Sequence, residues 1–160
     1  MARVLIVGCG CRGRALAAAL AEDGHAVRGT TRDPARLGEL EAAGVEGMVA
    51  DPNVLGTLLP ALEGVSALCW LMGSADANAE ELHGPRLESL LHKLVDSTVR
   101  GVVYEGAGTV AGSLLEQGAM IVRTAGATHG MPVEVVEADP SAHERWVAEM
   151  RAAVGRVLTA

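Results

Sequence analysis

Three glycines near the start of the chain have the spacing G-x-G-x-x-G and the clearest chemical use: Gly8, Gly10 and Gly13. They follow the apolar run Val4–Val7 and precede an alanine-rich stretch, which predicts a turn between a buried strand and a helix. Gly8 would allow the tight turn, Gly10 would let the backbone approach a pyrophosphate, and Gly13 would let the helix pack closely on the strand. Unpaired N–H groups and the positive dipole end at the start of that helix favour an anion. The sequence therefore predicts a dinucleotide-binding turn.

The end of the second predicted strand bears on which dinucleotide binds. An NAD site usually has an acidic residue there, about 20 residues beyond the last glycine, and by this count Asp33 is a candidate for the ribose 2′-hydroxyl. However, Asp33 followed by Pro34 is typical of a helix cap, which would occupy the carboxylate. Thr31 and Arg32 instead supply a hydroxyl and a guanidinium, which suit a 2′-phosphate. We therefore expect NADP rather than NAD, the alternative being that Arg32 is a solvated surface residue.

Further residues are expected to line the cofactor site. Cys11 and Arg12 lie in the glycine turn, and Arg12 could reach the 2′-phosphate or the pyrophosphate. Asp51 ends the third predicted strand, where its carboxylate would accept a hydrogen bond from an adenine amino group or cap the turn at Pro52. Three residues that end the fourth strand are expected to lie over the crevice: Leu71, Met72 and Gly73.

Apolar runs and helical patterns alternate along the chain, which is typical of parallel β-α-β units. Strands are predicted over 4–7, 25–31, 45–50, 65–72, 101–104, 119–124 and 133–137, with a short helix over 110–117. No linker or repeat divides the chain. We therefore predict one α/β domain over residues 1–160, a doubly wound, mostly parallel Rossmann sheet of six or seven strands with helices on both faces and no separate substrate domain. The ligand crevice should lie where the carboxyl ends of strands one and four meet.

Composition limits the expected partners and location. The net charge of −7 argues against nucleic acid or an anionic membrane as the main partner. No apolar run reaches the ~18 residues that a membrane span needs, and the N-terminus lacks the layout of a signal peptide. Two of the three cysteines flank Gly10, which does not suggest a disulfide framework, and no second ligand cluster accompanies them to suggest a metal site. We expect a cytoplasmic protein without a metal.

Several segments resemble the atypical and extended short-chain dehydrogenase/reductases, which include NAD-dependent epimerases and dehydratases and NmrA-like sensors. GCGCRGRALAAAL is similar to the glycine motif and first helix of that family. GHAVRGTTRDPARLGELEAAGVEGMVADP is similar to its second and third strands, with the Thr-Arg ending of NADP-binding members. RGVVYEGAG resembles the fifth strand, and MIVRTAGATHG resembles the segment after the catalytic helix. The resemblance covers most of the chain and implies a Rossmann fold with an NAD(P) cofactor.

The chemistry of that family requires Tyr-x-x-x-Lys on one helix, and this pair is missing here. The chain has one tyrosine, Tyr104, and one lysine, Lys93, which precedes it. Glu105 and Gly106 replace the serine expected at the end of the fifth strand, and residues 111–118 are expected to be too few for the catalytic helix. Tyr104 and Glu105 are the remaining catalytic candidates. Both are expected to face the crevice, and a structural role is the alternative for each.

Two hypotheses on function follow. The first is a non-catalytic NADP(H)-binding protein that acts as a redox sensor or as a partner's cofactor module. The second is an NADPH-dependent oxidoreductase acting on a small substrate, with Glu105, Tyr104, His129 or a partner chain supplying the proton. A scaffold without nucleotide affinity is a third reading. His129 is expected in a loop beside the nicotinamide, and the other histidines are predicted at the surface: His25, His83, His92 and His143. A long amphipathic helix from about Pro85 would allow a homodimer.

Overall fold

The computed structural model describes all 160 residues and contains one parallel β-sheet of six strands. The strands are β1 (Arg3–Val7), β2 (Ala26–Thr31), β3 (Glu46–Val49), β4 (Ala67–Trp70), β5 (Gly101–Glu105) and β6 (Val133–Val136). Their order across the sheet is β3-β2-β1-β4-β5-β6, and every neighbouring pair is parallel. The predicted α/β class and doubly wound sheet are confirmed.

Helices cover both faces of the sheet. They are α1 (Cys11–Glu22), α2 (Leu37–Ala42), α3 (Leu55–Leu58), α4 (Ala79–Leu82), α5 (Pro85–Leu94), α6 (Gly112–His129) and α7 (His143–Thr159), with 3₁₀ turns over Pro34–Arg36 and Leu59–Leu62. One face packs against α1, α2 and α7, and the other packs against α3, α4, α5 and α6. None of the helices combines the length and the apolar character needed to cross a membrane.

The sequence of β1 is apolar without alternation because both faces of this strand are covered. Val4 and Ile6 of β1 point into the core under α1 and α7, whereas Leu5 and Val7 point into the opposite core. All four side chains are fully buried, as is typical of a parallel strand covered on both faces. Because β2 and β4 lie on either side of β1, the chain changes direction across the sheet there and leaves a crevice at the carboxyl ends of β1 and β4.

The predicted strand over 119–124 is wrong, because these residues lie inside α6. The run is apolar and contains β-branched residues, which favours a strand locally. In α6, buried residues recur every three or four positions (Leu115, Ala119, Val122 and Gly126), so one face of the helix packs on the sheet. The segment MIVRTAGATHG therefore belongs largely to this helix. The expectation of a helix too short for the family's catalytic one is also wrong, since α6 has 18 residues, although it carries neither Tyr nor Lys.

Two helix glycines are expected to respond to alanine in opposite directions. Gly118 is buried in α6, where a Cβ would overlap the Tyr104 hydroxyl, so Gly118→Ala should lower the free energy of unfolding by about 1–3 kcal/mol. Gly155 is exposed in α7, with no atom within 4 Å of such a Cβ. Gly155→Ala should therefore raise the free energy of unfolding by about 0.5–1 kcal/mol. Urea unfolding of both variants tests this packing, and shifts of the same sign would contradict it.

Candidate functional site

A cleft of about 510 Å³ lies at the carboxyl ends of β1 and β4, where the crevice was expected. Its volume is in the range of small-molecule and cofactor sites. Nine of the residues predicted to bind the cofactor line it: Gly8, Gly10, Cys11, Arg12, Gly13, Thr31, Arg32, Leu71 and Met72. The glycine turn and the ends of β2 and β4 are thus brought together around one opening.

The glycine turn is fastened to the end of β2. The Gly8 N–H donates to Thr30 Oγ1 (3.3 Å), and the Cys9 N–H donates to the Thr30 carbonyl oxygen (3.0 Å). Gly8 has a φ of +86°, and a Cβ there would overlap the Met72 methyl group. Gly10 precedes α1, and a Cβ there would meet no atom within 4 Å, so its backbone borders open space. The first N–H groups of α1 lack partners within the helix, and this arrangement fits a diphosphate.

The turn after β2 contributes positive charge to the cleft. Asp33 Oδ1 accepts a hydrogen bond from the Ala35 N–H (3.0 Å), so its carboxylate caps the 3₁₀ turn as predicted. Thr31 Oγ1 accepts a hydrogen bond from the Asp33 N–H (3.2 Å). Arg32 is exposed, lines the cleft and forms no ion pair within the protein. Its guanidinium is therefore available to an anionic ligand.

Arg36 is a cleft residue that the sequence reasoning missed. It ends the 3₁₀ turn that follows Asp33, and its guanidinium lies 3.6 Å from the exposed Glu39 carboxylate. Such exposed pairs are weak, so this one leaves Arg36 able to bind a stronger anion. The available signal was the cap at Asp33 followed by Pro34, which begins a helical turn directly after β2 and so keeps Arg36 close to the end of that strand. Two guanidinium groups thus line the β2 end of the cleft.

Asp51 and Gly73 are not part of the cleft lining, contrary to expectation. Asp51 Oδ1 accepts a hydrogen bond from the Asn53 N–H (2.9 Å), which is the turn-capping role that the sequence left open. Pro52 lines the cleft in its place. Gly73 follows β4 and is buried because it packs against the segment after β5. Its N–H donates to Glu105 Oε1 (2.8 Å).

Glu105 does not face the cleft, so that expectation is wrong. Its side chain is fully buried and forms an ion pair with Arg12, whose Nη2 lies 3.0 Å from each carboxylate oxygen. The ring of Trp146 in α7 lies 5.4 Å from Arg12 Cζ. Burial raises the pKa of Glu105 above its ordinary value, whereas the Arg12 guanidinium and the Gly73 N–H oppose that rise. The carboxylate therefore holds Arg12 and the backbone at Gly73 together, and it does not reach the cleft.

Tyr104 is also buried away from the cleft, although it was expected to face it. Its hydroxyl lies 2.6 Å from His83 Nδ1 and 3.3 Å from the Leu115 carbonyl oxygen. His83 is fully buried rather than at the surface, and its Nε2 lies 2.8 Å from the Met72 carbonyl oxygen. A carbonyl oxygen only accepts hydrogen bonds, so Nε2 carries a proton. Because burial lowers the pKa of His83 and favours the neutral imidazole, Nδ1 accepts the Tyr104 hydroxyl proton at the shorter of the two contacts. These two side chains form a polar network inside the core.

Acidification is expected to destabilise the fold through His83. Burial lowers the pKa of this imidazole from its ordinary 6.5, so below that pH the unfolded chain gains a proton that the folded chain does not. Stability is therefore lost as the pH falls. His83→Gln can keep both hydrogen bonds without titrating. Between pH 7.5 and 5.5 the wild type should lose up to about 1.4 kcal/mol more unfolding free energy than the variant.

Urea unfolding of wild type and His83→Gln at both pH values measures this difference. The raised pKa of Glu105 acts with the opposite sign, because it favours proton binding by the folded chain and so costs stability as the pH rises. That contribution is common to both proteins and cancels in the comparison. Identical pH dependence of the two proteins would contradict a buried neutral His83.

His129 and the cysteines complete the list of candidates. His129 ends α6, with its ring 6.4 Å from that of His92 on α5, and it does not line the cleft. The expectation that it lies in a loop beside the crevice is wrong, because α6 runs back from the carboxyl end of β5.

Cys9 is buried, and burial raises the pKa of its thiol to about 11. Cys11 is exposed at the first turn of α1.

A parallel sheet in this strand order, with a glycine turn at its switch point, defines a dinucleotide-binding Rossmann domain. The sequence model of the NAD(P)H-binding family matches residues 8–113, about two thirds of the chain. The chain therefore belongs to the NAD(P)H-binding family, and its cofactor is a nicotinamide dinucleotide. A comparison with curated protein sequences finds no match.

Solved structures of short-chain dehydrogenase/reductase and epimerase proteins share the fold. A superfamily member from Agrobacterium tumefaciens with bound NAD is 23% identical, with a TM-score of 0.66 over 83% of this chain and 48% of that chain. Citrobacter sp. triphenylmethane reductase complexed with NADP(H) is 18% identical, with a TM-score of 0.64 over 83% and 48%. Bacillus cereus UDP-glucuronic acid 4-epimerase in complex with NAD is 14% identical, with a TM-score of 0.67 over 86% and 56%. The chain spans about half the length of these structures, and the resemblance to this group is confirmed for the fold.

Proposed function

We propose that the chain binds NADP(H) in preference to NAD(H) in the cleft at the glycine turn. The observation that carries this proposal is the pair of guanidinium groups at the β2 end of the cleft, those of Arg32 and Arg36. NAD sites place a carboxylate there for the ribose 2′-hydroxyl, but the Asp33 carboxylate is engaged as a cap. Arg32, which has no ion pair, and Arg36, whose pair with the exposed Glu39 is weak, suit a 2′-phosphate.

Each part of the cleft has a proposed role toward the cofactor. The glycine turn and the first turn of α1 would hold the diphosphate through backbone N–H groups. Thr31, Arg32 and Arg36 would hold the adenosine ribose and its 2′-phosphate, while Leu71 and Met72 would line the other half of the cleft. NADPH supplies a hydride when bound. The residues of this chain bind and orient it.

Thermal unfolding with equal concentrations of NADP and NAD tests the preference. One charge-assisted arginine–phosphate contact is worth roughly 1.5–3 kcal/mol, or about 10- to 150-fold in affinity. At ligand concentrations well above both dissociation constants, NADP should therefore raise the unfolding midpoint more than NAD does. Equal midpoints with the two ligands would overturn the NADP preference, and no shift with either at millimolar concentration would overturn binding itself.

We also propose that the chain acts as a redox sensor or cofactor module rather than as a complete oxidoreductase. In support, α6 carries no Tyr or Lys, and the two catalytic candidates, Tyr104 and Glu105, are buried outside the cleft. The alternative is an NADPH-dependent oxidoreductase acting on a small substrate. It is favoured by Ser74 and Asp76, which line the cleft, with Asp76 accepting a hydrogen bond from Thr109 Oγ1 (3.0 Å).

Steady-state oxidation of NADPH with a panel of carbonyl and quinone acceptors separates these two functions. A sensor or module should give no turnover above the background rate without protein, because no acid or base from the buried pair reaches the cleft. Robust turnover by the chain alone would overturn the sensor proposal. Loss of that turnover in Asp76→Asn, with NADPH binding retained, would support the oxidoreductase.

A further inference from the structure

An ion pair with a buried carboxylate links the glycine turn to the ends of β4 and β5. Glu105 at the end of β5 is 0% exposed, and both carboxylate oxygens lie 3.0 Å from Arg12 Nη2. Its Oε1 also accepts a hydrogen bond from the Gly73 N–H beyond the end of β4 (2.8 Å). One carboxylate therefore joins the glycine turn after β1 to the segments that follow β4 and β5.

Arg12 is held by two side chains although it borders the cleft. One edge of its guanidinium is fixed on Glu105, and its Cζ lies 5.4 Å from the Trp146 ring centroid. The side chain remains 29% exposed and lines the cleft. Its Nε is buried without a hydrogen-bond partner, and its Nη1 makes no hydrogen bond within the protein. Nη1 is therefore the group of Arg12 that can donate to a ligand, because Nε is buried and Nη2 is engaged by Glu105.

The ion pair determines which half of a dinucleotide Arg12 can serve. In the sheet, β2 and β5 lie on opposite sides of the β1–β4 pair, so a guanidinium fixed on Glu105 is drawn away from the β2 end. Arg32 and Arg36 line that β2 end, where a Rossmann domain binds the adenosine ribose. Of the two contacts expected for Arg12, this position favours the pyrophosphate over the 2′-phosphate.

We propose that Glu105 is a positioning residue that holds Arg12 so that its remaining donors bind the nicotinamide-side phosphate of the dinucleotide. This inference rests on the proposed binding of NADP(H) in the cleft. Arg12 contacts the cofactor, and Glu105 acts only through Arg12. The arginines of the cleft then have separate tasks, with Arg32 and Arg36 on the 2′-phosphate and Arg12 on the diphosphate.

Two ligands distinguish this role from that of a purely structural ion pair. NADP carries both phosphates of the diphosphate, whereas adenosine 2′,5′-bisphosphate lacks the nicotinamide-side one. The double variant Arg12→Met/Glu105→Gln removes both charges, so no unpaired ion is left buried. In calorimetric titrations it should bind NADP about 10- to 150-fold more weakly than wild type and the bisphosphate with unchanged affinity.

Glu105→Gln alone tests the positioning. Glutamine can accept hydrogen bonds from Gly73 and Arg12 with one oxygen, but it loses the charge and the second contact that hold the guanidinium. Arg12 must then be ordered when the ligand binds, which should weaken NADP binding about 2- to 13-fold. The affinity for the bisphosphate should not change. A change in stability alone would alter the affinities for both ligands alike. A fall in the affinity for NADP relative to the bisphosphate therefore indicates the positioning of Arg12.

Three results would overturn the proposal. They are equal losses of affinity for both ligands in these variants, no loss of affinity for either ligand, or tighter NADP binding by Glu105→Gln. The last would mean that the carboxylate only neutralises Arg12. Thermal unfolding without ligand establishes that each variant is folded. Arg32→Ala is the matched control, since it should lower the affinity for both ligands alike. Failure of the proposed function gives a different result, in which the wild type binds neither ligand.

Discussion

Gly10→Ala is expected to weaken NADP binding about 100-fold or more while the fold stays intact. In the ligand-free chain a Cβ on residue 10 meets no atom within 4 Å, so the cost to the fold is limited to the backbone, whose φ of −89° and ψ of −150° lie just outside the β region. The added methyl group would occupy the opening beside the first N–H groups of α1, where the diphosphate is proposed to approach the backbone. Loss of two charge-assisted hydrogen bonds would account for this magnitude.

Gly8→Ala, in the same turn, is the matched comparison. Gly8 has a φ of +86°, and a Cβ there would overlap the Met72 methyl group and lie 2.7 Å from the Leu71 carbonyl oxygen. This variant is expected to lose about 2 kcal/mol or more of unfolding free energy. Calorimetric titration and thermal unfolding of both variants separate the two effects. Wild-type NADP affinity in Gly10→Ala would contradict a diphosphate site at the glycine turn.

Arg32→Ala is expected to lower the affinity for NADP by about 10- to 150-fold and to leave the affinity for NAD nearly unchanged. Arg32 is exposed and has no ion pair, so its removal should not disturb the fold. The loss should be confined to NADP because the two ligands differ only by the 2′-phosphate. Fluorescence titration with NADPH and NADH measures both affinities in the same protein.

Two further arginine variants act as references for this prediction. Arg36→Ala should show the same pattern with a smaller loss, because its guanidinium is shared with Glu39. Arg86→Ala removes the same charge from an exposed position on α5 outside the cleft and should affect neither ligand. If Arg32→Ala weakened NAD and NADP equally, its guanidinium would not be recognising the 2′-phosphate.

The fold and the location of the cleft could be predicted because both depend on local signals. The apolar run Val4–Val7 is uninterrupted because β1 is covered on both faces, and the glycine spacing that follows it marks the turn at the switch point. Asp33 followed by Pro34 is a local cap, and the structure confirms that role. The alternation of strands and helices then determined the parallel sheet.

What could not be predicted depends on contacts between distant residues. Glu105 meets Arg12 across 93 positions of sequence, and His83 meets Tyr104 across 21, so no local pattern shows that these polar side chains are paired and buried. An unpaired Glu or His would favour the surface, which explains why both were expected to be accessible.

The misassigned strand over 119–124 has a related cause. Its short apolar run is compatible with a strand or with the buried face of a helix. The packing of α6 against the sheet and against α5 selects the helix, and this contact lies outside the window in which the pattern is read.

A crystal structure of the chain with bound NADP would show which residues hold each phosphate of the cofactor. We expect the diphosphate against the first turn of α1 beside Gly10, with the 2′-phosphate bound by Arg32 and Arg36 at the end of β2. Arg12 should still be paired with Glu105 and should contact the nicotinamide-side phosphate. A nucleotide bound elsewhere on the molecule, or one in the cleft with its 2′-phosphate turned away from both arginines, would contradict the proposed NADP site.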